Sequence, residues 1–169
     1  MKIKERIAGK RLLKIAEEIH RTPELPNMDL VKKIGVLYRP EQKEAFNYLK
    51  SYFGKSQVML RHLCVYDKNI ELINEPHIIP KDLSWLGFPK PGKVDDFVKT
   101  DFDILFNIAL KQNITLDYIT LVSKAKFKVG GQAGLANYFD LNINIGKNEN
   151  VLYLVEQQIF YLSNLKQNN

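Results

Sequence analysis

Two groups of basic side chains have the type and spacing that suit the binding of phosphate groups. Clustered lysine and arginine side chains bind polyanions such as RNA because they release the counterions condensed around the phosphates. One group lies at the start of the chain and the other alternates with apolar residues further on. The predicted polyanion-binding residues are Lys2, Lys4, Arg6, Lys10, Arg11, Lys14, Lys124, Lys126 and Lys128.

The distribution of charge supports this interpretation. The formal net charge of the 169-residue chain is +6. Residues 1–55 hold 13 Lys and Arg against 7 Asp and Glu, whereas residues 56–169 hold 12 against 12. All of the net charge therefore lies in the first third, which is typical of a basic arm that precedes a neutral domain.

Residues 1–20 are predicted to form a basic amphipathic helix. Its apolar residues are spaced roughly as one helical face requires, and most of its basic residues lie on other faces. One interpretation is an arm that lies on RNA or on an anionic membrane surface, although Glu17 and Glu18 weaken the membrane version. The alternative is a helix that packs on the domain and leaves its basic face solvated. The apolar residues are Ile3, Ile7, Leu12, Ile15, Ala16 and Ile19.

The segment from Ser123 to Val129 alternates strictly between polar and apolar residues. In an extended conformation its three lysines share one face, while Ala125, Phe127 and Val129 share the other. The lysines are either a positive stripe for phosphates or a device that protects an edge strand from edge-to-edge aggregation. The sequence leaves both interpretations open.

Other arrangements that could carry chemistry are weak. The glycine-rich segment 130–134 matches neither phosphate-binding glycine motif and is predicted to be a turn. Asp101 and Asp103 flank a predicted strand, but two carboxylates alone rarely make a metal site. The cysteine Cys64 lies in an apolar run, and His20, His62 and His77 are scattered. We therefore predict no metal and no cofactor, and the sequence identifies no catalytic residue.

The apolar pattern predicts an α/β fold, a three-layer sandwich with a mainly parallel sheet of about five strands. Helices are predicted after the first strand and at the end of the chain. Residues 114–122 are predicted to be a short helix, and a hairpin strand is the alternative. The predicted strands cover residues 33–38, 57–66, 102–110, 123–129 and 139–145.

We predict the strand order 2-1-3-4-5, which places a ligand cleft beyond the ends of the strands at Tyr38 and Asn107. The domain organisation is a basic arm and linker in residues 1–32, followed by an α/β domain in residues 33–169. Within that domain, a long proline-containing loop carries Trp85 and Phe88. These aromatic residues either meet a protein partner or attach the loop to the core.

The chain is expected to be a soluble cytoplasmic protein. Its single cysteine allows no intrachain disulfide, which favours a reducing compartment. No apolar stretch approaches the length of a membrane span, and lysine and arginine residues interrupt the apolar positions of the N-terminus.

Three segments resemble a known family. FDILFNIAL at 102–110, SKAKFKVG at 123–130 and FDLNINI at 139–145 resemble small bacterial α/β proteins described only as a domain of unknown function. The resemblance covers roughly residues 33–165. It implies the bounds of the domain and no activity.

Two functions are therefore considered. The leading hypothesis is a non-enzymatic binding protein that engages RNA or another polyanion through the basic helix, within a larger assembly. The alternative is an enzyme that uses a nucleotide or sugar phosphate, with its cleft at the carboxyl ends of the strands.

Overall fold

The computed structural model describes residues 2–131 and 138–165. Its strands are β1 (Lys33–Tyr38), β2 (Met59–Val65), β3 (His77–Ile78), β4 (Ile104–Asn107), β5 (Lys128–Gly130) and β6 (Leu141–Asn142). Its α-helices are α1 (Lys2–Glu18), α2 (Lys43–Phe53), α3 (Asp95–Lys99), α4 (Ile114–Val122) and α5 (Val151–Ser163). Alternating strands and helices of this kind build an α/β domain, as the sequence predicts.

The six strands form one parallel sheet in the order β3-β2-β1-β4-β5-β6. The predicted order 2-1-3-4-5 is correct for the five predicted strands, and β3 is an additional strand at the edge. β1 and β4 are buried almost throughout. Side chains on both faces of these central strands are apolar, which is the pattern of a sheet covered by helices on both sides.

Two layers of helices cover the sheet. Phe46 of α2 and Val155 of α5 pack on the face formed by Ile34 and Phe106. Phe97 of α3 and Leu116 of α4 pack on the opposite face. The three-layer prediction is therefore confirmed, and residues 114–122 form the predicted helix, which Asn113 caps by accepting a hydrogen bond from the Leu116 backbone N–H.

The helix α1 lies against α4. Its residues Ala8 and Leu12 belong to a third apolar cluster with Phe88, Leu121 and Tyr138. The division of the chain into a 1–32 arm and a 33–169 domain stays a prediction. No helix in the described part of the chain is long and apolar enough to cross a membrane.

Except for β1, the predicted strands are longer than the observed ones, and the difference matters for the lysines. β5 begins only at Lys128, and it lies between β4 and β6. The interpretation that the lysines protect an edge strand is therefore wrong, because β5 is an internal strand. The edge strand of the region after β2 is His77–Ile78.

The chain changes direction across the sheet between β1 and β4. From β1 it continues to β2 and β3 on one side, and from β4 to β5 and β6 on the other. The helices α2 and α4, which follow these two strands, cover opposite faces. Such a topological switch point opens a crevice at the carboxyl ends of the strands, where open parallel sheets bind their ligands.

Candidate functional site

The buried side of α1 holds the helix on the domain. Ala8, Gly9 and Leu12 are buried, and Ile15 and Ile19 pack against the same cluster. Positions 8, 12, 15 and 19 recur at helical spacing, so they form one continuous stripe that faces α4. This packing fixes which residues of α1 face solvent.

All six basic residues of α1 are exposed: Lys2, Lys4, Arg6, Lys10, Arg11 and Lys14. Within the described residues, none of them takes part in any of the observed ion pairs or side-chain hydrogen bonds. They are therefore free to meet an anionic partner. These six predicted residues therefore all lie at solvent-exposed positions of α1.

Two isoleucines of α1 do not follow the predicted apolar stripe. Ile3 is 75% exposed and Ile7 is 43% exposed. Helical spacing places them in line with Lys10 and Lys14, opposite the buried stripe. The expectation that Ile3 and Ile7 share the buried face is wrong, because Leu12 and the residues in line with it already fill the space against α4.

The three alternating lysines do not form one exposed face. Lys128 is 1% exposed, and its Nζ donates a hydrogen bond to the backbone oxygen of Leu121 at 3.0 Å. Burial lowers the pKa of Lys128 to about 7, and nearby Arg21 acts in the same direction. Lys126 forms an ion pair with Asp103 at 2.9 Å, and only Lys124 is exposed. The prediction that these three lysines form one exposed positive stripe is therefore wrong.

A cleft with a volume of about 850 Å³ lies at the carboxyl ends of the strands. Residues that follow β1, β4, β5 and β6 line it, which is the place that the switch point predicts. Amide side chains predominate among its polar groups. Lining residues include Arg39, Gln42, Lys111, Gln112, Asn113, Gly131, Asn142, Asn144, Asn148 and Glu149.

Three helices begin beside this cleft. Gln42 precedes α2, Asn113 caps α4 and Glu149 lies just before α5. Helix N-termini favour anions through their dipole and their remaining N–H groups, although the side chains of Asn113 and Asn150 already accept one backbone N–H each in α4 and α5. Arg39 contributes a cation to the lining, although Glu41 and Asp67 pair with it at 2.9 and 3.2 Å.

Asn142 of β6 lines the cleft. Its Oδ1 atom is buried, and it accepts no hydrogen bond from any described residue. A buried acceptor without a donor costs about 1–3 kcal/mol. Because this oxygen is enclosed by protein atoms, it is not a contact point for a ligand in the cleft.

The two residues that mark the predicted cleft do not line it. Asn107 is buried, and its amide donates to Thr120 Oγ1 at 3.2 Å. Tyr38 turns to the other face of the sheet, where its ring stacks on Phe46. The position of the cleft is thus as predicted, whereas the residues that line it come from the loops after the strands.

Glu75 is the centre of a polar cluster that the sequence did not indicate. Its carboxylate accepts hydrogen bonds from Tyr38 and Lys43, both at 2.6 Å, and from Tyr66 at 2.8 Å. Burial opposes ionisation of Glu75, but these donors outweigh it and lower the pKa to about 2. Burial lowers the pKa of neighbouring His62 and raises that of Cys64 to about 12.

This cluster has the properties of a structural network. Each carboxylate oxygen of Glu75 already accepts a hydrogen bond, and the thiol of buried Cys64 stays protonated at neutral pH. No sequence motif marks the cluster, because Glu75 lies in a loop far from Tyr38 along the chain. Its evident effect is to attach the loop after β2 to β1 and α2.

The two aromatic residues of the long loop have different environments. Phe88 is buried and its ring lies 5.1 Å from that of Tyr118. Trp85 is 68% exposed. Phe88 therefore attaches the loop to the core, and Trp85 alone is accessible to a partner.

The two aspartates at the start of the central strand are paired with lysines. Asp101 pairs with Lys33 at 2.7 Å, and Asp103 pairs with Lys126. Among the described residues, no group of three His, Cys, Asp or Glu side chains is arranged to hold a metal ion. Part of the predicted turn at 130–134 lies outside the described residues.

Comparison with known proteins identifies the family of the chain but indicates no activity. The model of a family of unknown function, DUF6913, matches residues 4–165. No curated protein and no solved structure matches the chain. The matched range includes α1 from Lys4 onward, so most of the basic helix lies within the matched segment.

Proposed function

The chain belongs to this family of unknown function, DUF6913, and we propose that it is a non-enzymatic binding protein that engages RNA or another polyanion through α1. One observation carries the proposal. Six cations project from one helix, and within the described residues none is neutralised by an observed ion pair. Unpaired cations on a fixed scaffold release counterions when they meet phosphates, which favours association.

The packing of α1 supports binding as a preformed surface. Because Ala8 and Leu12 hold the helix on the domain, binding does not require the helix to fold first. The proposal places the protein in the cytoplasm and within a larger assembly, where exposed Trp85 is available to a protein partner. Lys124 is the only member of the second lysine group that remains a candidate for binding the polyanion.

A salt titration of RNA binding tests the proposal. We expect the affinity for single-stranded RNA to fall steeply with salt concentration. The double variant Lys10→Glu, Lys14→Glu should weaken binding and flatten the dependence of log K on log salt by roughly 0.7 for each phosphate that is no longer neutralised. Both side chains are exposed, so the variant should fold. Deletion of the helix is a poorer test because it would uncover Leu121 and Phe88.

The matched control is Lys55→Glu, Lys68→Glu, which makes the same change in net charge at exposed positions away from α1. We expect this control to bind RNA nearly as the parent chain does. Absence of binding at low salt contradicts RNA as the polyanion, and equal decreases in affinity in the two double variants contradict α1 as the binding surface.

A second candidate function is the binding of a nucleotide or sugar phosphate in the cleft, either for catalysis or for recognition. The specific observation in its favour is a cleft that is lined mainly by amide side chains and beside which three helices begin. Helix N-termini suit a phosphate, and amide side chains suit sugar hydroxyls because they both donate and accept hydrogen bonds.

A thermal-shift experiment with AMP, ADP, ribose 5-phosphate and inorganic phosphate tests the second candidate. We expect at least one sugar phosphate to raise the melting temperature of the parent chain more than inorganic phosphate does. Asn142→Asp keeps the shape of the side chain but adds a negative charge, so it should abolish that shift. The control Asn47→Asp makes the same change on the exposed side of α2. No shift with any of the four compounds contradicts this function.

A further inference from the structure

The outer face of α1 combines cations with exposed isoleucines, and this combination identifies a class of polyanion. The inference rests on the proposed use of α1 and names its partner. We infer that α1 docks on an anionic lipid bilayer, where its lysines and arginines meet lipid headgroups and Ile3 and Ile7 enter the apolar boundary.

The geometry of the helix places these groups side by side. Positions 3, 7, 10 and 14 recur at spacings of four, three and four residues, so they form one stripe along the helix. Ile3 and Ile7 are 75% and 43% exposed, and Lys10 and Lys14 continue the same stripe. Lys4 and Arg11, each one position further along the chain than Ile3 and Lys10, flank it.

The buried side of the helix explains why this stripe is free. Ala8 and Leu12 face α4 and are 0% exposed. Positions 3 and 7 lie on the opposite side of the helix, so no rotation buries Ile3 and Ile7 without exposing Leu12. The isoleucines are therefore presented to the surroundings by the same packing that fixes the helix.

A bilayer and an RNA strand differ in what they offer these isoleucines. RNA phosphates attract the lysines, but RNA has no apolar layer into which Ile3 and Ile7 can insert. An anionic bilayer attracts the lysines through its headgroups and also removes the isoleucines from water. Lysine side chains have the length to keep their ammonium groups at the headgroups while the helix lies at the interface. The combination therefore favours lipid over RNA.

The carboxylates of α1 indicate which end of the helix approaches the bilayer. Glu17 and Glu18 lie in its last two positions, whereas both isoleucines and Lys2, Lys4 and Arg6 lie in its first two turns. Glu5, the carboxylate of the first turn, lies on the side of the helix opposite Ile3 and Ile7 and so faces away from the bilayer. Carboxylates are repelled by anionic lipid, so the N-terminal half approaches the bilayer more closely. Docking at one end of the helix leaves the packing of Leu12 on the domain intact.

Flotation with lipid vesicles tests this inference. The full chain is mixed with vesicles of phosphatidylcholine plus phosphatidylserine, or of phosphatidylcholine alone. We expect flotation only with the anionic vesicles.

The variant Ile3→Ser, Ile7→Ser keeps every charge. We expect its affinity for anionic vesicles to fall about tenfold or more because neither serine side chain gains from entering the apolar boundary. Its affinity for RNA should stay within about twofold of the parent value, because the charges that determine it are unchanged.

Two controls make the outcome specific. Ile70→Ser, Leu72→Ser removes two exposed apolar side chains from a loop instead of α1, and flotation should be unchanged. Lys10→Glu, Lys14→Glu should abolish flotation. Equal flotation of the parent and the Ile3→Ser, Ile7→Ser variant overturns the inference. RNA binding without flotation of the parent overturns it as well but leaves the polyanion proposal standing, whereas absence of both overturns both.

Discussion

Arg21 and Asp140 form a two-pronged ion pair that joins the segment after α1 to the residues before β6. Nη1 and Nη2 of the guanidinium group donate to Oδ1 and Oδ2 of the carboxylate, respectively, at 2.7 Å each. The same carboxylate accepts the backbone N–H of Lys128, and Arg21 also donates to the backbone oxygen of Lys126. One pair of side chains therefore holds three segments that are distant in sequence.

Replacement of Asp140 by Asn should destabilise the protein because it removes the charge that balances Arg21. The side chains of Arg21 and Asp140 are only 26% and 11% exposed, so solvent replaces the missing interaction poorly. We expect the free energy of unfolding to fall by about 2–3 kcal/mol in urea denaturation. The control is Asp101→Asn, which breaks an exposed pair with Lys33 and should cost much less, because water screens exposed charges. Equal costs would show that the Arg21 pair has no special role.

Lys128 should make the stability of the fold depend on pH in the basic range. Burial lowers its pKa to about 7, whereas the ordinary value is 10.5. Between these values the unfolded chain binds more protons than the folded chain, so the free energy of unfolding rises with pH. Lys128→Met removes this contribution. Relative to the parent, the variant should therefore gain about 2 kcal/mol when the pH falls from about 9 to 7.

The measurement for Lys128 is urea denaturation of the two proteins at both pH values. All other titrating groups are shared, so the difference between the proteins isolates Lys128. The hydrogen bond to the Leu121 oxygen is missing from the variant at either pH and shifts both values equally. A constant difference between the two pH values contradicts the lowered pKa.

The order of the parallel strands could be predicted because it follows from patterns that each short segment of the sequence carries on its own. Short apolar runs alternate with helical patterns, and right-handed crossovers of neighbouring strands limit the order that such a chain can adopt. β3 could not be predicted because it has only two residues, His77 and Ile78. A pairing that short depends on where the loop docks, and that position is determined by Glu75 and its three donors.

The environment of Lys128 shows why the alternation of polar and apolar residues in segment 123–129 led to a wrong prediction of an exposed lysine face. An alternating segment predicts one buried and one solvated face, but an internal strand of this sheet has helices on both sides. Lys128 points away from Val129 and meets the C-terminal end of α4, where the Leu121 oxygen needs a donor. The α1 stripe, in contrast, could have been read from the sequence, because Ile3 and Ile7 are out of phase with Leu12 at 100° per residue.

Asp117 should destabilise the fold at neutral pH. Burial raises its pKa to about 6, while a side-chain hydrogen bond with Gln112 opposes the shift, and its Oδ2 atom has no partner among the described residues. Between its ordinary pKa of 3.8 and 6 the folded chain binds more protons than the unfolded chain. Stability therefore falls as the pH rises through this range, and the whole penalty is present above pH 6.

Asp117→Asn should remove that penalty without changing the shape of the side chain. We expect about 2 kcal/mol of additional stability at pH 7.5 and almost no difference near pH 4. Thermal or urea unfolding at the two pH values measures it, with the exposed Asp29→Asn as the matched control. A variant that is less stable than the parent at pH 7.5 would mean that Asp117 is paired in solution.

Glu75 should have the opposite effect, because its ionised form is stabilised by the fold. Its pKa of about 2 lies below the ordinary 4.5, since bonds from Lys43, Tyr38 and Tyr66 outweigh the effect of burial. Its contribution to stability is therefore complete above pH 4.5 and disappears as the pH falls towards 2.

Glu75→Gln should cost about 2 kcal/mol at pH 7, a value moderated by solvent around half-exposed Lys43, and the cost should shrink near pH 3. Urea denaturation at both pH values measures this, with exposed Glu71→Gln as the control. A cost that is the same at pH 7 and pH 3 would show that the shape of Glu75, and not its charge, holds the loop after β2.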